Sequence, residues 1–277
     1  MSGTYLTWLA DAYRAAGLTV VEFQGWQTRA RSSGGFAAGR PVCTMWHHTA
    51  SSTSPQNDAN YMCNGSSDRP IANVLIARDG TVWVLAAGAT NTNGKGDSLT
   101  FSTGTVAADS MNTSAIGVEI ANAGTGEVYP QAQVDSMFTV SNVHAARLGW
   151  QPSDLAGHVD YAKTRKIDPA VNKVTGPWAP GSINSSGSWN VTDVRNEAIR
   201  RATNTPQEVD MTDEQAAQLA AIYGSVGASQ QVSDAVWHQT VPDGTTGQES
   251  AMWAQITNTK AAVDSLTQRL IDAGIIT

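Results

Sequence analysis

Short apolar runs separated by turn-forming residues, with longer helical stretches between them, leave this chain few architectures. Val42 to His47, Asn73 to Ala77 and Val82 to Leu85 each read as a strand, and Arg78-Asp79-Gly80-Thr81 makes the turn of a hairpin between the last two. Ile116 to Ala121 (Ile-Gly-Val-Glu-Ile-Ala) is an apolar run fit for a central strand. Residues 4–17 read as an amphipathic helix with Leu6, Leu9, Ala10 and Tyr13 on one stripe and Gly17 as its stop, followed by a strand from Leu18 to Phe23. Residues 131–148 and 192–202 read as further helices. Such an order predicts an α/β fold with a mixed central β-sheet flanked by helices.

The connections are predicted to be exposed. Gln24 to Arg40 is rich in Gly, Ser and Arg, residues 87–115 are rich in Gly, Asn, Ser and Thr without periodicity, and residues 153–190 read mostly as loop. Thr203-Asn204-Thr205-Pro206 reads as a linker, after which the chain turns Gln- and Ala-rich. The expected division is therefore a catalytic-size domain over 1–205 and a small C-terminal α-helical tail over 206–277. In that tail Met252, Ile256, Val263, Leu266 and Leu270 form a short heptad-like seam, and Ala235–Thr240 weakly echoes Ala251–Ile256. The seam can drive homo-oligomerisation or pack on a neighbouring helix, and the tail can alternatively bind a cell wall.

Charge and cysteine content narrow the partners. The chain carries a net charge of −7, which argues against nucleic acid, whose phosphates need clustered Lys and Arg. The same balance argues against simple electrostatic attachment to an anionic cell surface. The first residues have no basic start and are interrupted by Asp11 and Arg14, so no signal peptide is expected, and no apolar run approaches the roughly 18 residues of a membrane span. Cys43 and Cys63 are too few for a disulfide scaffold and lack zinc-cluster spacing; free thiols are expected.

Two of the five histidines sit in suggestive surroundings. Strand alternation puts Cys43, Met45 and His47 on one face and Thr44, Trp46 and His48 on the other, so only one of the paired histidines can enter a given site. His158 lies in Gly157-His158-Val159-Asp160, and Asp168 follows ten residues later in Lys166-Ile167-Asp168-Pro169. Two imidazoles and a carboxylate suit Zn2+ with a fourth position left for water. On spacing alone the signal is weak, because no His-Glu-x-x-His motif is present. His144 and His238 read as structural or surface residues. Trp26, Trp83, Trp178 and Trp189 can stack on sugars or simply fill the core.

Five ordered segments carry a stronger signal. Trp46-His47-His48-Thr49-Ala50, Ile76-Ala77-Arg78-Asp79-Gly80-Thr81, Ile116-Gly117-Val118-Glu119-Ile120, Gly157-His158 and Lys166-Ile167-Asp168-Pro169 resemble, in order and separation, the type 2 N-acetylmuramoyl-L-alanine amidases, which share a fold with peptidoglycan recognition proteins. The opening Ala15–Glu22 and Gly25–Arg29 is similar to endolysins of phages that infect actinobacteria. The resemblance implies that His47, His158 and Asp168 bind zinc, that Glu119 is the general base and that Lys166 offsets charge on the oxyanion. Another branch of the family uses a tyrosine where this chain has Ala72, which points the acid–base role to Glu119. The implied substrate is peptidoglycan, cut between N-acetylmuramic acid and L-alanine, with no nucleic acid and no membrane insertion. The implied setting is the host cytoplasm, with access to the wall through a separate membrane-permeabilising protein. Two rivals remain: a non-catalytic peptidoglycan-binding protein of the same fold, and a cytoplasmic wall-recycling amidase.

Overall fold

The computed structural model describes residues 3–204. The expected helical tail over 206–277, with its seam, its echo and His238, lies outside the described residues.

Among the described residues a mixed sheet of six strands forms the centre, in the order β1 (Val20–Glu22), β4 (Val82–Val84), β3 (Val74–Ile76), β7 (Ala115–Ile120), β2 (Cys43–His48) and β8 (Leu155–Gly157). Strands β3, β7, β2 and β8 run parallel, and β4 is antiparallel to β3 through the predicted Arg78–Thr81 turn. Each strand expected from the sequence is present, shifted by a residue or two at its ends. Strand β8 falls in a stretch read as loop; its three residues, Leu155, Ala156 and Gly157, are all buried but too few to show a period.

One face of the sheet is covered by α1 (Leu9–Ala15), α3 (Gln131–Leu148) and α5 (Val191–Asn204). Helix α3 has the bounds its apolar positions predict, and Gly149 ends it in a left-handed conformation (φ 69°). Helix α1 is shorter than expected, because the residues before it are extended and Thr4 exchanges two backbone hydrogen bonds with Phe36. Ile116, Val118 and Ile120 of β7 point into this layer beside Trp46, Phe138 and Val134. The Trp46 indole N–H donates to Ser141 Oγ at 3.0 Å, which satisfies its polar handle inside the core. Trp26 and Trp189 are buried, and Trp178 packs edge-on against Trp189 and Phe138. These rings belong to the core.

His144 also lies in this layer, fully buried on α3. Its Nδ1 lies 2.8 Å from Thr44 Oγ1 and its Nε2 bonds to the Tyr13 hydroxyl, so both nitrogens of a neutral ring are satisfied.

The other face carries shorter cover: α2 (Pro55–Asn60) running into one turn of π-helix (Tyr61–Gly65), α4 (His158–Tyr161), the hairpin β5 (Leu99–Phe101) and β6 (Gly104–Val106), and the segment 85–98. Up to Asn93 that segment is not the surface loop that the composition of residues 87–115 predicts. Thr90, Thr92 and Asn93 are buried, because polar atoms from distant positions meet them. Asn73 Nδ2 donates to the carbonyls of Ala86 (2.9 Å) and Gly88 (2.7 Å), and its Oδ1 accepts from Thr90 Oγ1 (3.2 Å) and Gly117 N–H (3.0 Å). A polar run can be buried when most of its groups are paired in this way, and Asn93 Nδ2 is the exception in this one.

Gly117 is the position where the segment crosses β7. A Cβ there would lie 2.1 Å from Thr92 Oγ1, so Gly117→Ala is expected to destabilise the fold by about 1–3 kcal/mol through overpacking. Urea denaturation measures this; a variant as stable as the parent would show that the crossing is loose. No helix among the described residues is long and apolar enough to cross a membrane.

Candidate metal and catalytic site

Parallel pairing delivers the site. In the β2–β7 register His47 stands opposite Glu119, and in the β3–β7 register Leu75 does, so His47 and Glu119 leave the same face near the C-terminal ends of their strands. Strand β8 lies beside β2 with Gly157 opposite Trp46, which puts His158 at the start of α4 next to that edge. The following loop folds back: Val159 N–H donates to Asp168 O at 2.9 Å, and Gly157 N–H donates to Asp160 Oδ2 at 2.7 Å. Asp168 is returned to His158 by these bonds.

The three residues expected to bind metal converge. His47 Nδ1 lies 2.9 Å from His158 Nδ1, and Asp168 Oδ2 lies 3.2 Å from the first and 3.0 Å from the second. All three side chains are buried. Ligands about 2.0 Å from a tetrahedral zinc are about 3.3 Å apart; the observed triangle is a few tenths of an ångström tighter, and its donor set of two imidazole nitrogens and one carboxylate oxygen suits that ion. The residues present therefore fit a zinc site.

The electrostatics agree with a site that holds its ligands ready. Burial and the neighbouring His158 push the His47 pKa down to about 4, so its ring is neutral at neutral pH.

Glu119 is buried, and its Oε2 has no hydrogen-bond partner among the described residues. Burial, helped by the charge on Asp168, pushes its pKa up to about 8, while Lys166 pulls it down. Lys166 is half-buried and makes no ion pair or hydrogen bond through its ammonium among the described residues; its field reaches both Glu119 and His48. His48 points away from the triangle, and its Nδ1 accepts from Ala170 N–H at 3.2 Å. That contact ties β2 to the chain just past Asp168. Cys43 and Cys63 are free and buried.

Asn93 is the neighbour of the site that the sequence reading missed. Its side-chain Oδ1 lies 3.1 Å from His47 Nε2 and its backbone O lies 2.9 Å from His158 Nε2. Nothing in Thr90-Asn91-Thr92-Asn93-Gly94 marks one of these residues apart from a surface turn. A loop of 29 residues without secondary structure inside a compact domain was the available warning.

Fold and site together define an α/β protein with a candidate three-ligand metal centre at the ends of parallel strands. Residues 38–171 match the N-acetylmuramoyl-L-alanine amidase family, the same family that the five sequence segments resemble. The solved structures it is similar to include the amidase AmiD from E. coli in complex with the substrate anhydro-N-acetylmuramic acid-L-Ala-D-gamma-Glu-L-Lys, at 20% identity over 54% of this chain and 60% of that one, with a TM-score of 0.39. The endolysin amidase LysCS from Clostridium intestinale is similar at 17% identity over 57% and 90%, with a TM-score of 0.40. The hydrolase AmiA from Staphylococcus aureus is similar at 16% identity over 69% and 87%, with a TM-score of 0.43. No curated protein matches the chain.

Proposed function

We propose that the chain is a zinc-dependent N-acetylmuramoyl-L-alanine amidase, and that it serves as a phage endolysin. The observation that carries the amidase reading is the buried triangle of His47, His158 and Asp168, with Glu119 beside His47 in the sheet register, inside a segment that matches the amidase family. Zinc bound there supplies a Lewis acid for the lactyl–L-alanine amide and lowers the pKa of water.

In this reading each remaining role falls to a residue of the chain. Glu119 takes the proton of the attacking water on its unpartnered carboxylate and passes it to the leaving alanine nitrogen. Lys166, with its unpaired ammonium, offsets the negative charge that develops on the carbonyl oxygen. A carboxyl with a pKa near 8 would be mostly protonated at neutral pH; a dication in the adjacent triangle favours its ionised form, which a base requires. His47, His158 and Asp168 are already clustered, so binding the metal needs little rearrangement.

The endolysin role rests on the similarity of the opening residues to actinophage enzymes. The protein would wait in the host cytoplasm until a separate protein permeabilises the membrane. Residues 206–277 would then serve oligomerisation or wall binding.

The test is digestion of purified peptidoglycan with metal-stripped and zinc-restored protein, counting new alanine amino termini and new reducing sugar ends. New alanine termini that depend on zinc are expected, with no new reducing ends. If neither product forms in either state, the enzyme reading fails and a binding protein of this fold takes its place.

A further inference from the structure

We propose that Asn93 is the positioning residue of the metal site: with its two carbonyl groups it holds both histidines in the same tautomer, so that their Nδ1 lone pairs face Asp168. The inference rests on the metal reading above.

The argument starts from what a carbonyl can do. A backbone carbonyl oxygen only accepts hydrogen bonds. His158 Nε2, 2.9 Å from Asn93 O, must therefore carry the proton and donate it. A neutral imidazole has one N–H, so His158 Nδ1 is left with a bare lone pair. His47 Nε2 meets Asn93 Oδ1 at 3.1 Å and is held in the same way. Both bare nitrogens then turn to each other across 2.9 Å and to a carboxylate oxygen at 3.0 and 3.2 Å. Three buried acceptors facing one another repel unless a cation lies among them. One asparagine thus decides the proton positions of two ligands that are 111 residues apart.

Asn93 is itself held from behind. Its backbone N–H donates to Asn112 Oδ1 at 2.8 Å, and Gly94 N–H donates to the same oxygen at 3.2 Å. Thr92, one residue before, rests on Gly117 and bonds to Thr90 Oγ1 at 2.6 Å. The carbonyls of Asn93 are consequently aimed by the core of the sheet. Partners of this kind raise ligand basicity, and their loss weakens metal binding about 10–100-fold.

The backbone bond to His158 survives any substitution, whereas the bond to His47 depends on the side chain. Zinc affinity is measured by competition with a chromophoric chelator for the full chain, Asn93→Ala and Asn93→Asp, with circular dichroism to confirm the fold. Asn93→Ala is expected to bind zinc about 10–100-fold more weakly. Asn93→Asp keeps an acceptor oxygen and is expected to bind at least as tightly as the parent. Parent-like affinity in Asn93→Ala overturns the proposal. So does equal weakening in both variants, which would assign the loss to loop packing.

A second measurement needs no variant. Nitrogen NMR of the imidazoles in the zinc-loaded parent should show the N–H of His47 and of His158 on Nε2. Zinc bound through either Nε2 contradicts the assignment. If the parent binds zinc and cleaves peptidoglycan while these tests fail, only the role of Asn93 falls. If the parent binds no zinc at all, the metal reading falls first and this proposal with it.

Discussion

Replacing Glu119 with glutamine is expected to lower kcat/KM for the release of new alanine termini by about 10²–10⁴-fold, with zinc affinity and fold retained. The substitution keeps the shape of the side chain and removes only its ability to take and give a proton. Zinc affinity should persist because Glu119 is not part of the triangle of His47, His158 and Asp168. A rate within a few-fold of the parent would remove Glu119 from the reaction. A lost rate together with lost zinc would make its role structural.

The same substitution has a consequence for stability in the metal-free protein. The folded pKa of Glu119, about 8, lies above the value of an unfolded glutamate. Over the window between those values the folded state binds more protons than the unfolded one, so stability is full below it and is lost as pH rises towards 8. Glu119→Gln should therefore flatten the alkaline side of the stability curve, as read by urea denaturation of the metal-stripped protein.

His144 should govern the acid side. Burial pushes its pKa down to about 3, because a charged ring in the layer between α3 and β2 would lose its hydration with no carboxylate in hydrogen-bond contact. Here the sign is opposite. Below about pH 6.5 the unfolded state binds the proton that the folded state refuses, so stability falls as pH falls from about 6.5 to 3. At about 1.4 kcal/mol for each unit of pKa shift, the full loss is on the order of 5 kcal/mol. His144→Gln, neutral throughout, should show a stability curve shallower by that amount over the same window. Parallel curves for parent and variant would sink the assignment. The variant carries its own constant cost, since a glutamine cannot reach both Thr44 and Tyr13 as the ring does.

Much of this could be read from the chain because periodicity reports burial. Val134, Phe138 and Val140 mark α3, and Ile116, Val118 and Ile120 mark the buried face of β7. His47 was placed at the end of a strand, facing away from Trp46, by alternation alone. Its partners were not, since no local rule links residues 47, 158 and 168; the family resemblance supplied them. The start of the predicted loop, residues 87–93, defeated the reading for a physical reason. Composition cannot distinguish a polar run that faces water from one whose groups are paired with Asn73, Asn112 and two histidines. Strand β8 and helix α4 were missed because three or four residues are too few to show a period.

The order in which the triangle can form follows from the sheet. His158 and Asp168 are ten residues apart on one self-bonded loop, so two corners are local. The third waits for β2 to find β7 and then β8, pairings of high contact order and hence among the slower events in folding. A nascent or misregistered chain can carry two corners but not three. Competence to form the triangle is thus an all-or-none signature of a completed sheet, and a one-residue slip of β2 would turn His47 to the helical side together with every other side chain of the strand.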